Sequence, residues 1–356
     1  MQYLIESQLI LEYTLHRTCV GGNKGIQKDL DDGIDTIGKK MTVCQLYAKQ
    51  IRHRGNVRYN TKNGRKRLMK LLEEDKLGGC PIDSVKLSDA KEWAIRMKEK
   101  GISYKTISND KRSLKAAFYT AIQDDCIRKK PFDFQLNTVI EDDTEPKVPL
   151  TPAQEESFLS FAQNDKVYQK YYDELIILLG TGLRISELCG LTDTDIDFEN
   201  RIINIDHQLL RSAETGYYIE TPKTKSGIRQ IPMSEKVYEA FNRVLKRSRG
   251  AKAVTIDGYS NFLFLNRDGY PKTATNYDGM FRGLAKKYNN YHEEALPKVM
   301  TPHTLRHTFC TNMANAGMNP KALQYITGHS NITMTLNYYA HATFDSAKAE
   351  MLRIAA

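Results

Sequence analysis

Apolar residues recur at helical spacing through most of the chain. Between Met41 and Arg54, Val43, Leu46, Tyr47 and Ile51 fall on one helical face. Leu68, Met69, Leu71 and Leu72 predict a second helix from about Thr61 into Glu73. Ser88-Asp89 reads as the N-cap of a third, with Ala90, Trp93, Ala94 and Met97 inward and Gly101 at its end. A longer fourth helix is predicted from Ser103 to Cys126. Its inward positions are Leu114, Ala117, Phe118 and Ile122, and Lys105, Lys111, Arg112 and Lys115 point outward. The acidic, proline-bearing stretch Ile140 to Pro149 then breaks the periodicity and reads as a linker.

Beyond the linker, Thr151-Pro-Ala-Gln154 is a capping box with proline at the first helical position. Strand-like alternation follows at 201–206, 217–221 and 227–232, the last two flanking a turn rich in Pro, Lys and Gly. Helical patterns return at 234–248, 273–288, 302–315, 320–327 and 331–340, with a last one near 344–354. The expected fold is mainly α with a small antiparallel β-sheet. The expected division is an N-terminal extension over 1–38, a helical domain over 39–139, a linker over 140–149 and a mixed domain over 150–356.

Charge sharpens this division. The 356 residues include 52 Lys+Arg and 43 Asp+Glu, a net charge of +9. Residues 39–133 hold 24 basic and 11 acidic residues, whereas the first 38 hold 3 and 6, and the rest is close to neutral. The basicity therefore belongs to the four-helix segment, where it reads as a footprint for phosphate or as a set of solvated helix faces. No run approaches the roughly 20 apolar residues that span a bilayer. The start of the chain lacks the basic region of a signal peptide. The six cysteines are scattered without CxxC spacing, which suggests reduced intracellular thiols rather than disulfides or a zinc site.

Three stretches carry candidate chemistry. In Gly180-Thr-Gly-Leu-Arg184, an arginine sits in an apolar frame, with Glu187 on the same helical face to hold it. In Thr301-Pro-His-Thr-Leu-Arg306, His303 and Arg306 leave one face near a helix N-terminus. The third stretch runs from Gly328-His329 to Tyr338, Tyr339 and His341. Taken singly, each reads more readily as an ordinary ion pair, a capped helix or a half-buried aromatic than as a site. Together, two arginines, histidines and a tyrosine suit attack on a phosphodiester without metal: guanidinium forks bind non-bridging oxygens, and a phenol of pKa near 10 needs positive surroundings to act as a nucleophile. There is no phosphate-cradling GxxxxGK[ST] loop and no acidic cluster of a two-metal site.

The order Arg184, His303-x-x-Arg306, His329, Tyr resembles the tyrosine recombinase (phage integrase) family. Pro81 to Trp93, Ile140 to Pro146 and Glu220 to Pro232 look like integrases of conjugative transposons. The resemblance, over residues 29–356, implies a SAM-like helical core-binding domain and a catalytic domain of the DNA breaking-rejoining fold, closing as a C-shaped clamp on duplex DNA. It implies that Arg184 and Arg306 clamp the scissile phosphate beside His303 and His329, with Glu187 as support. A lysine on the hairpin 221–232, Lys223 with Lys225 as alternative, protonates the 5′-oxygen. A tyrosine nine or ten residues after the histidine is the nucleophile. Tyr339 is preferred over Tyr338 because a small residue and His follow it. The implied reaction integrates and excises a mobile element through a 3′-phosphotyrosine, with no ATP, metal or other cofactor.

The implied partners are double-stranded DNA attachment sites, contacted by Lys105, Lys111, Arg112 and Lys115, and an excisionase or DNA-bending factor. The chain is expected to be a homotetramer on DNA and a monomer or weak oligomer when free, without membrane, in the bacterial cytoplasm. Residues 1–28 lack the pattern of the arm-binding domain usual in these relatives, which suggests an altered start. Thr343 to Ile354 resembles the regulatory tail. A DNA-binding protein without catalysis, a type IB topoisomerase and a chromosome-dimer resolvase are the other readings. The intact catalytic set opposes the first, and the transposon-like stretches oppose the last.

Overall fold

The computed structural model describes residues 38–55, 57–145, 148–222, 224–248, 254–339 and 351–352. The expectations for the N-terminal extension, for Lys223 and for most of the tail lie outside these residues. The chain divides after Glu145 into two units.

The first unit holds helices α1 (Val43–His53), α2 (Tyr59–Glu73), α3 (Leu87–Glu99) and α4 (Tyr104–Gln123). Thr42 caps α1 through a capping box with Gln45, which satisfies N–H groups that the helix itself leaves open. The third helix begins earlier than its sequence suggests. Lys86 is its N-cap, and the Asp89 carboxylate accepts from the Lys86 backbone N–H at 2.8 Å. The apolar faces meet around Trp93, which is fully buried with its ring edge-on to Phe132 at 5.9 Å. Buried charge is paired: Asp75 accepts from Arg96 Nε and Nη2 at 2.8 and 2.7 Å.

The second unit contains α5 (Pro152–Asn164), α6 (Tyr172–Thr181), α7 (Ile185–Gly190), α8 (Glu235–Ser248), α9 (Ala274–Asn289), α10 (Pro302–Asn315), α11 (Pro320–Thr327) and α12 (Ile332–Leu336), with a main core and a smaller cluster of Phe309, Cys310 and Leu323 against which Tyr338 and Tyr339 pack. The apolar α6 lies against α8 and α10. It ends at Gly182, whose φ of +62° only glycine adopts at little cost.

Two expectations are corrected. The strands at 217–221 and 227–232 do not form a hairpin with each other. β4 (Gly216–Glu220) pairs with β3 (Gln208–Ser212), while β5 (Arg229–Pro232) pairs antiparallel with β2 (Ile202–Ile205), which is flanked by β1 (Ile196–Asp197). The segment between β4 and β5 is thus a connection between two sheets. The helix expected over 331–340 stops at Leu336, so Tyr338 and Tyr339 follow it in a turn. Among the described residues, no helix is long and apolar enough to cross a membrane.

Candidate active site

Arg184 is the N-cap of α7. Its backbone N–H donates to Glu187 Oε2 at 2.9 Å and its Nη1 to Oε1 at 2.7 Å. The Glu187 side chain is 4% exposed, but that of Arg184 is 38% exposed. The guanidinium is thus held in place while part of the side chain stays open to solvent. Arg306, one turn into α10, is buried, and its Nη1 and Nη2 donate to the carbonyls of Gly182 and Thr327, both at 2.5 Å. Burial, then the nearby Arg184 charge, lower its pKa to about 10, so it remains cationic at neutral pH.

A third arginine joins them. Arg229, on β5, donates from Nη1 and Nη2 to Glu187 Oε1 and Oε2 at 3.0 and 2.9 Å, and from Nε to the Ile326 carbonyl at 2.6 Å. Nothing in the family motif set singles it out. Its signal is a charged residue in phase with Ile231 on a strand whose inner positions are buried: Arg229 and Ile231 point in, Gln230 and Pro232 out.

The three guanidinium groups converge on one helix end. Ile326, Thr327 and Gly328 offer carbonyls that the last turn of α11 leaves without helical partners. They accept from Arg229, Arg306 and Arg184 respectively, the last at 3.0 Å. The negative end of the helix dipole favours these cations. Gly328 ends α11 at φ +63°, and a Cβ there would lie 2.9 Å from Ser226 O and 3.1 Å from Arg229 Nη1.

His329 follows directly and is buried, its Nδ1 3.0 Å from Thr335 Oγ1. Burial, then the positive charge of Arg306, Arg184 and Arg229, push its pKa down to about 4, so it is neutral in the DNA-free protein. His303 lies exposed on the first turn of α10, close enough for its charge to act on His329.

The two tyrosines part company. The Tyr338 ring is parallel to His329 at 6.4 Å and edge-on to His307 at 5.0 Å. Burial, then Cys310, raise its pKa to about 12, and Arg306 opposes the rise. Tyr339 instead donates its hydroxyl to the Met318 carbonyl at 2.5 Å, and its pKa is raised by burial and Cys310. The Tyr338 ring thus lies beside His329 and His307, while the Tyr339 hydroxyl is held at the Met318 carbonyl.

Of the lysine pair, only Lys225 is described; it is exposed in a 3-10 turn, Lys225–Gly227. Of the basic residues on α4, Lys105 and Arg112 are exposed. Lys115 pairs with Asp133 at 2.5 Å, and Lys111 is half-buried, donating to the Phe134 carbonyl. Helix α2 adds Lys62, Arg65, Lys66 and Lys70, which line a cleft of about 500 Å³. Among the described residues, Asp195, Asp206 and His207 bring possible metal-ligating atoms together. Both His207 nitrogens already face acceptors, Asp206 Oδ1 at 2.5 Å and the Gly190 carbonyl at 2.8 Å, so neither is open to an ion.

Comparison with known proteins agrees with this geometry. The profile of the phage integrase family matches residues 149–346. The transposase of transposon Tn916 from Enterococcus faecalis is 68% identical over 329 residues, 92% of this chain and 81% of that protein. The solved Tn1549 transposon integrase bound to a circular intermediate DNA is 77% identical, with a TM-score of 0.84 over 88% of this chain and 99% of that one. The same integrase bound to transposon right end DNA is 76% identical, with a TM-score of 0.84 over 89% and 100%. The first of these solved chains carries an arginine-to-lysine substitution and the second a tyrosine-to-phenylalanine substitution. The chain belongs to the phage integrase family and is a tyrosine recombinase.

Proposed function

We propose that this chain is the integrase of a conjugative transposon, integrating and excising the element by site-specific strand exchange, with Tyr338 rather than Tyr339 as its nucleophile. The observation that carries the proposal is the convergence of Arg184, Arg306 and His329 on the end of α11, with the Tyr338 ring stacked beside His329.

A scissile phosphate seated on the open edge of Arg184 receives charge-assisted hydrogen bonds, and the buried Arg306 adds positive potential in a low-dielectric setting. The Tyr338 oxygen attacks phosphorus in line, the bond to the 5′-oxygen breaks, and a 3′-phosphotyrosine forms. The phenolic proton leaves to His303 or to the neutral imidazole of His329. Lys223, or Lys225 in its place, gives a proton to the departing 5′-oxygen. A 5′-hydroxyl from a partner strand reverses the step, so the bond energy is conserved without ATP. Glu187 holds Arg184 in place.

The proposed partner is duplex DNA at attachment sites, as in the solved relatives, with residues 39–139 as core-binding domain and 150–356 as catalytic domain. Lys105 and Arg112 on α4 and the basic face of α2 offer phosphate contacts, Lys111 and Lys115 being engaged within their own unit. A homotetramer on DNA, an excisionase or bending factor, and a cytoplasmic setting complete the proposal.

The test uses the full chain and nicked suicide duplexes carrying element ends. Covalent protein–DNA adducts and recombinant joints, both lost in Tyr338→Phe, support the reading. Relaxation of supercoils without joints indicates a topoisomerase, and duplex binding without adducts indicates a non-catalytic binder.

A further inference from the structure

Arg229 lies outside the set assigned to the phosphate, yet its side chain makes more hydrogen bonds than that of Arg184 or Arg306. Its side chain is wholly buried, and four donor contacts run to Glu187 Oε1 and Oε2 and to the carbonyls of Gly227 and Ile326. Glu187 in turn accepts four hydrogen bonds, two from Arg184 and two from Arg229. We propose that Arg229 is a positioning residue for the strand-cleavage reaction, setting Arg184 and the Gly328-His329 turn in register with the connection that carries the candidate lysines.

Two physical arguments support this role. The first is charge. Glu187 alone would cancel Arg184, leaving little attraction for a phosphate. With Arg229 also bound, one carboxylate is shared by two guanidinium groups. A net positive charge stays at the mouth, where Arg184 is the more exposed of the pair. The second is geometry. Arg229 ties three chain segments together: β5 on which it sits, the carboxylate of α7, and the last turn of α11. It also bonds the Gly227 carbonyl, immediately after Lys225 and Ser226, so the connection between the two sheets is anchored to the same guanidinium.

Only a planar fork meets these acceptors at once. A lysine supplies charge to Glu187 but cannot hold both its oxygens and the Ile326 carbonyl together. The conservative exchange therefore separates positioning from charge alone.

The proposal rests on the active-site reading above, so the experiment keeps the two apart. Full-length wild type, Arg229→Lys, and the neutral pair Glu187→Gln/Arg229→Gln are compared with Tyr338→Phe on a suicide duplex, in single-turnover cleavage and in equilibrium binding. The amplitude of cleavage reports the competent fraction, and the rate constant reports the site within it. We expect Arg229→Lys to lower the rate constant on the order of tenfold to a hundredfold, the range typical of displaced positioning groups. Binding affinity is expected to stay within about threefold, because contacts to the phosphate backbone dominate it. If Arg229→Lys does not fold, the neutral pair, free of a buried unpaired charge, carries the same measurement. A wild-type rate constant, a loss confined to amplitude, or equal losses in rate and affinity overturns the inference. Covalent adducts from Tyr338→Phe would instead overturn the reading on which it rests.

Discussion

The Tyr338 ring lies within 7° of parallel to the His329 imidazole at a centroid distance of 6.4 Å, and the charge of Arg306 acts on its hydroxyl. Tyr339, one residue later, directs its hydroxyl to the Met318 carbonyl. A phenol near pKa 12 is almost fully protonated at neutral pH, so a bound phosphate and a nearby base must assist its attack.

Loss of Arg306 should weaken cleavage more than binding. Arg306→Ala removes a buried charge beside the phosphate and leaves the Gly182 and Thr327 carbonyls without their donor. We expect cleavage to slow by about 10²–10³-fold, as when a preorganised charge stabiliser is removed. Single-turnover assays at saturating enzyme measure this directly.

Gly328→Ala should act through the backbone. The φ of +63° disfavours any side chain, and the new Cβ would press on Ser226 O and Arg229 Nη1. A stability loss above about 1 kcal/mol is expected in chemical denaturation. The retained folded fraction should cleave more slowly, because the Gly328 carbonyl holds Arg184.

Acid should destabilise the free protein partly through His329. Its pKa is depressed from 6.5 to about 4 by burial and the surrounding arginines. Between those values the unfolded chain binds the extra proton, so stability falls as pH drops through the window. In His329→Gln this component disappears. Urea unfolding at pH 7 and pH 5 should therefore show a smaller acid-induced loss in the variant than in wild type, and equal losses would contradict the assignment.

On the first unit, Lys62→Ala should weaken duplex binding similarly on all sequences and reduce the slope of log affinity against log salt by about 1, as expected of one phosphate contact. Lys115→Ala, whose ammonium already pairs with Asp133, should change the slope less. Binding titrations across a salt series check both.

Local signals carried much of this to the sequence level. The Thr151 capping box, the helices at 302–315 and 320–327 and the Arg184–Glu187 pair follow from capping chemistry and helical spacing, and they stand in the structure as the residues indicate. Strand pairing was not legible in the same way. Alternation marks β4 and β5 as strands but is silent on partners, and β5 pairs with β2 across two intervening strands. The helix expected to reach residue 340 fails for another reason. Met334 and Leu336 are apolar but exposed, so their spacing does not report a buried face, and the chain turns after Asn337. That turn decides which tyrosine faces the histidines. Arg229 was not singled out from the sequence, because its partners Glu187 and the end of α11 are distant in the chain.

Tyr338, set beside His329 and within the field of Arg306, is expected to form the covalent bond to DNA. Peptide mapping by mass spectrometry of the adduct trapped on a nicked suicide duplex tests it most directly. A 3′-phosphonucleotide attached to Tyr338 is expected; attachment at Tyr339, or an undiminished adduct in Tyr338→Phe, would overturn the assignment.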